Sequence, residues 1–117
     1  MTQLGVGIIG CGNISTTYLQ FARARAAEYG VRADTVDDLL TAKDVDVIVN
    51  LTIPAVHYAV TRQILEAGKH AYSEKPLVLT LAEGEALREL AAFKNLRVGS
   101  APDTFLGGAH QQARAAI

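Results

Sequence analysis

Apolar residues along this chain follow two rhythms: short consecutive runs, and longer segments in which they return every third or fourth position. The run "LGVGIIG" (residues 4–10) is apolar on successive positions, which predicts a central parallel strand covered by helices on both faces. Residues 14–29 suit a helix, with Asn13 or Ser15 as N-cap and Gly30 at the position after its end, where a left-handed backbone costs least. "VRA" (31–33) is a very short second strand. Thr35 with Asp38 three residues on starts a short helix through Leu39 and Leu40. "VDVIVNLT" (45–52) is the strongest strand signal. After Pro54, the spacing of Val56, Val60, Ile64 and Ala67 predicts a helix that Gly68 stops.

"KHAYSE" (69–74) reads as the fourth strand. Thr80 and Glu83 form a capping box ahead of a helix whose buried stripe is Ala86, Leu87, Leu90 and Ala91. "LRVGSA" (96–101) is the fifth strand, followed by a loop and a short helix over 109–117. Five strands joined by crossover helices predict an α/β fold, a doubly wound parallel sheet whose ligands lie beyond the strands' carboxyl ends.

That end of the first strand carries the chemistry. In "GIIGCGNIS", Gly10 and Gly12 occupy the strand-to-helix turn, with Ser15 where a third glycine of G-x-G-x-x-G would stand. Gly10 permits the tight path, Gly12 lets main chain approach a pyrophosphate, and the helix start beyond supplies unpaired N–H groups. A plain glycine turn that packs a helix closely is the simpler alternative. The acid expected about 20 residues on, which binds the adenosine ribose, has only Asp34 as a candidate. A solvated turn residue is the other reading of Asp34, and the favoured one.

Composition narrows the classes. With 117 residues, half of them apolar and a net charge of −1, the chain suits a single domain over 1–117 and gives no footprint for nucleic acid or an anionic membrane. Cys11 is the only cysteine, no apolar run approaches a membrane span, and the N-terminus has no basic flank, so a cytoplasmic location is expected. His57, His70 and His110 are scattered, so no metal site is expected. The first and third strands end in Gly-Cys-Gly and Asn-Leu-Thr, which lack the acids of a phosphoacceptor receiver domain.

The segment "VNLTIPAVHYAVTRQILEAGKHAYSEKPLVLTLAEGEAL", with its Glu74-Lys75-Pro76 tripeptide, resembles the N-terminal domain of the glucose-fructose oxidoreductase / inositol dehydrogenase (Gfo/Idh/MocA) family, and "GIIGCGNIS" matches that family's cofactor turn. The resemblance implies NAD or NADP as cofactor. It places Gly10, Gly12, Asn13 and Ile14 on the pyrophosphate, Asn50, Thr52, Pro54 and His57 along the cofactor, and Glu74, Lys75 and Pro76 at the nicotinamide. Lys75 would there face the substrate's reacting hydroxyl as the catalytic group. Read without the resemblance, Lys75 is a solvated turn residue and His57 a capping or surface histidine.

Two departures from the family pattern shape the expectation. Family members continue into a second domain with the substrate pocket, so this chain is expected to be a truncated cofactor-binding domain of a sugar- or polyol-type oxidoreductase, binding NAD(P) weakly and without turnover alone. And "TTYLQ" runs straight into "FARARAAEYG", as if about 20 residues with the second strand were gone. "VRA" would then pair with the first strand and give the flavodoxin-like order 2-1-3-4-5. The alternative is an engineered fold-change chain without ligand; a third reading, flavin mononucleotide on Ser15, Thr16 and Thr17, lacks an aromatic pair for the ring system. A monomer is expected, with pairing between chains open to a bared sheet edge.

Overall fold

Four of the apolar runs form strands, and they stack side by side in chain order. The computed structural model describes residues 4–10, 27, 30–100 and 108–116. Its strands are β1 (Val6–Ile9), β2 (Val47–Asn50), β3 (His70–Ser73) and β4 (Val98–Ser100), all parallel in the order β1-β2-β3-β4. Its helices are α1 (Val36–Thr41), α2 (His57–Glu66), entered through a 3₁₀ turn at Pro54–Val56, α3 (Leu81–Phe93) and α4 (Gly108–Ala115). The register aligns Ile9, Asn50, Ser73 and Ser100 in one row, so the strands' carboxyl ends finish level.

The helices start where the sequence provides caps. Thr35 accepts the Asp38 N–H at 3.1 Å, and Thr80 and Glu83 complete a reciprocal capping box. Gly30 and Gly68 take the left-handed backbone expected of them, with φ of 65° and 80°.

One face of the sheet is the core. Ile9, Ile48 and Ala71 point into it and meet Ile64 and Leu65 of α2 and Leu87 and Ala91 of α3. Leu39 of α1 lies over Gly7, where a Cβ would come within 2.6 Å of it. Burying an aliphatic side chain of this size contributes roughly 1.5–3 kcal/mol, so this one layer supplies most of the described hydrophobic stabilisation. On the opposite face Val6 and Ile8 are 61% and 56% exposed.

The five-strand, flavodoxin-like order is corrected. Residues 31–33 are described and form no strand, and Val31 is exposed. Instead of pairing with β1, this stretch is held at the surface, its Arg32 guanidinium drawn to Asp34 at 3.3 Å and Asp44 at 3.1 Å. The other four strands keep the relative order expected of them. Most of the predicted helix over 14–29 lies outside the described residues; Ala27 alone is described, as helical.

The buried stripe of α2 differs from its hydrophobic spacing. His57, Thr61, Ile64 and Leu65 face inward, while Val56 is 38% exposed. The helix is rotated toward a polar partner, Asn50, whose side chain lies at the end of β2 beneath it. No helix among the described residues is long and apolar enough to cross a membrane.

Candidate functional site

The level carboxyl ends of β1, β2 and β3 bring three loops together, and a glycine opens the first. Gly10 has φ of 147°, a backbone that side-chain-bearing residues rarely adopt. A Cβ there would lie 2.6–2.7 Å from the backbone and Cβ of Leu51, whose N–H bonds the Ile9 carbonyl at 2.7 Å. Only glycine fits where β1 and β2 end together. Gly12, Asn13 and Ile14, predicted with it on the pyrophosphate, lie outside the described residues, as does Cys11.

Behind this corner is a buried polar network centred on Asn50, which is fully buried. Its Nδ2 donates to the His57 carbonyl at 3.2 Å and to Thr61 Oγ1 at 3.1 Å. Its Oδ1 accepts the Thr52 N–H at 3.2 Å and the Thr52 hydroxyl at 2.6 Å. Both donors and the acceptor are satisfied, which is the condition for a buried amide to stabilise rather than cost. Asn50 thus shapes the loop after β2 and anchors the start of α2 in one step.

His57, 1% exposed, is neither a cap nor a surface residue. Its Nδ1 stands 2.6 Å from the Pro76 carbonyl oxygen and its Nε2 2.7 Å from that of Thr52. Its ring thus lies between the main chains of the loops after β2 and β3.

The third loop carries Glu74, Lys75 and Pro76. Glu74 extends the sheet by bonding its N–H to the Asn50 carbonyl at 2.9 Å, and its carboxylate accepts the Lys75 N–H at 2.9 Å. The Lys75–Pro76 peptide is cis, and the Lys75 side chain is exposed. Thr52 is half-buried, and Pro54 opens the 3₁₀ turn in front of α2. Gly10, Asn50, Thr52, Pro54, Glu74, Lys75 and Pro76 are therefore brought to the same end of the sheet.

Asp34 is not. Its ion pair runs to Arg32, which also holds Asp44 at the entry to β2, the end of the sheet away from Gly10. The hydrogen bond from Arg32 holds the Asp44 carboxyl below its ordinary range, and the same bond raises the Arg32 guanidinium. Asp34 is thus drawn toward a surface ion pair.

Two residues of this end were not singled out by sequence reasoning. Thr61 belongs to the Asn50 network; its position four residues after His57, on the same helical face, was the available signal. Ser73, paired in register with Asn50, is buried with an Oγ that has no hydrogen-bond partner. Among the described residues no cluster of three or more His, Cys, Asp or Glu side chains could hold a metal ion.

The sequence pattern of an oxidoreductase family with an NAD-binding Rossmann fold, Gfo/Idh/MocA, matches residues 19–101. An uncharacterized oxidoreductase of Schizosaccharomyces pombe is 42% identical over 76 residues, 64% of this chain and 21% of that protein. A crystal structure of biliverdin reductase from Synechocystis, in complex with biliverdin and NADP+, superposes with a TM-score of 0.77 at 28% identity, over 96% of this chain and 42% of its own. UDP-N-acetylglucosamine 3-dehydrogenase from Acidithiobacillus ferrooxidans gives a TM-score of 0.84 at 28% identity, over 99% of this chain and 44% of its own. The chain spans less than half the length of these relatives.

Proposed function

The chain belongs to the Gfo/Idh/MocA oxidoreductase family, as its NAD-binding Rossmann part, and from that premise we propose that it binds NAD or NADP across the carboxyl ends of β1, β2 and β3. The observation that carries this reading is the Gly10 corner, where Leu51 leaves room only for glycine at the first position of the family's cofactor turn. The residues present suit a dinucleotide: Gly10 allows the tight turn out of β1 on which a pyrophosphate-binding loop depends. Gly12, Asn13 and Ile14 would continue that contact. The NADP+ held by the biliverdin reductase relative supports the same cofactor class here.

A bound nicotinamide would supply or take up the hydride. Thr52 and Pro54 would form the wall after β2, with the Thr52 hydroxyl turned inward onto Asn50. Lys75, exposed at the end of β3, offers an ammonium that can polarise a carbonyl or steady an alkoxide on the substrate. The substrate class proposed is a sugar or polyol, in keeping with the UDP-sugar dehydrogenase relative.

Affinity in this chain is weak, because Asp34 is spent on Arg32 instead of a ribose. The chain by itself is proposed not to turn over. The fold-change alternative needs the flavodoxin-like order, and the described strands do not have it. Fluorescence titration with NADH and with NADPH tests the proposal: saturable binding is expected, and no binding at millimolar cofactor overturns it.

A further inference from the structure

Lys75 stands in an exposed loop, yet the residue after it is held from below. Pro76 lends its carbonyl to His57 Nδ1 at 2.6 Å, while Nε2 of the same ring meets the Thr52 carbonyl at 2.7 Å. Thr52 belongs to the loop after β2 and Pro76 to the loop after β3, so one ring touches both walls of the site. The ring is itself fixed, since Asn50 Nδ2 binds the His57 main-chain carbonyl at 3.2 Å and the side chain is 1% exposed.

A carbonyl oxygen accepts and never donates. The N–H of a neutral imidazole therefore donates to one of the two carbonyls, while the ring packs against the other loop.

We infer that His57 is a positioning residue whose ring, lodged between the Thr52 and Pro76 carbonyls, bridges the loop after β2 to the loop after β3 and so fixes where Lys75 stands. It acts through the main chain of Thr52 and Pro76 and touches no ligand. The consequence for cofactor affinity rests on the reading proposed above; the bridge itself does not.

The test uses this chain, with NADH as probe. His57→Phe keeps a ring and removes its hydrogen bonding. In the folded variant the amide signals of Thr52 and Lys75 move while those of Ile64 and Leu87 stay, and NADH binds about tenfold more weakly. His57→Gln, which returns one donor, recovers part of the loss.

A folded His57→Phe with unmoved Thr52 and Lys75 amides overturns the inference. If that variant fails to fold, His57→Gln decides by the same amides: moved Thr52 and Lys75 signals support the bridge and unmoved ones overturn it. If the wild-type chain binds no NADH, the cofactor reading falls alone, because the amide shifts are read without cofactor.

Discussion

The two sides of this sheet are held together in different ways. Around β2 and β3, side chains reach across elements: Asn50 ties β2 to α2, and His57 contacts both loops at the strand ends. Beside β1, residues 31–35 are exposed, have no strand pairing, and are secured by an arginine shared between two surface acids. Buried, fully satisfied hydrogen bonds specify one geometry, whereas exposed ion pairs contribute little and are screened by salt. The loops after β2 and β3 are thus fixed by buried bonds, while residues 31–35 are held by surface charges.

The sharpest way to break this contrast is at the corner where the two sides meet. Gly10→Val places a branched side chain on a φ of 147° and against the Leu51 backbone. Strain plus overlap should cost about 2–5 kcal/mol, seen as a lower urea midpoint with an unchanged slope. An unchanged midpoint would mean that β1 and β2 do not meet as described. Asn50→Leu comes next: it removes the network's centre and leaves Thr61 and Thr52 without their partner, an expected loss of about 2–3 kcal/mol in the same assay.

Lys75→Met should leave the unfolding midpoint alone and weaken NADH binding about threefold, a rim charge lost near the ligand's phosphates and ring. Fluorescence titration reads it. Asp34→Asn, on the other side, should leave NADH affinity where it was. A marked loss would return Asp34 to the ribose.

The smallest effect belongs to Asp44. Its folded-state carboxyl is held below the ordinary value, first by the hydrogen bond from Arg32, so its contribution is present above the usual carboxylate range and is lost as pH falls through the lowered value. Asp44→Asn should therefore narrow the difference in thermal midpoint between neutral and strongly acidic buffer, and leave little trace in high salt.

The sequence announced this asymmetry only in part. The strands 45–52, 69–74 and 96–101 were legible because apolar runs, glycines and capping boxes agreed with one another, and each became a strand or a helix close to its expected place. "VRA" misled because apolar and β-tolerant composition says nothing about whether a partner strand is within reach. The α2 stripe misled for another reason: spacing of apolar residues missed a helix face where His57 and Thr61 are buried by hydrogen bonding to Asn50. The Glu74-Lys75-Pro76 loop was visible as a motif, but that Pro76 gives its carbonyl to a histidine 19 residues back is a contact no local pattern encodes.

Amide NMR of this chain during an NADH titration tests the central claim most directly. The account predicts saturable shifts gathered at Gly10, Leu51, Thr52 and Lys75, with Asp34 and Asp44 unmoved. Shifts gathered at Asp34 and Asp44, or none at millimolar NADH, would contradict it.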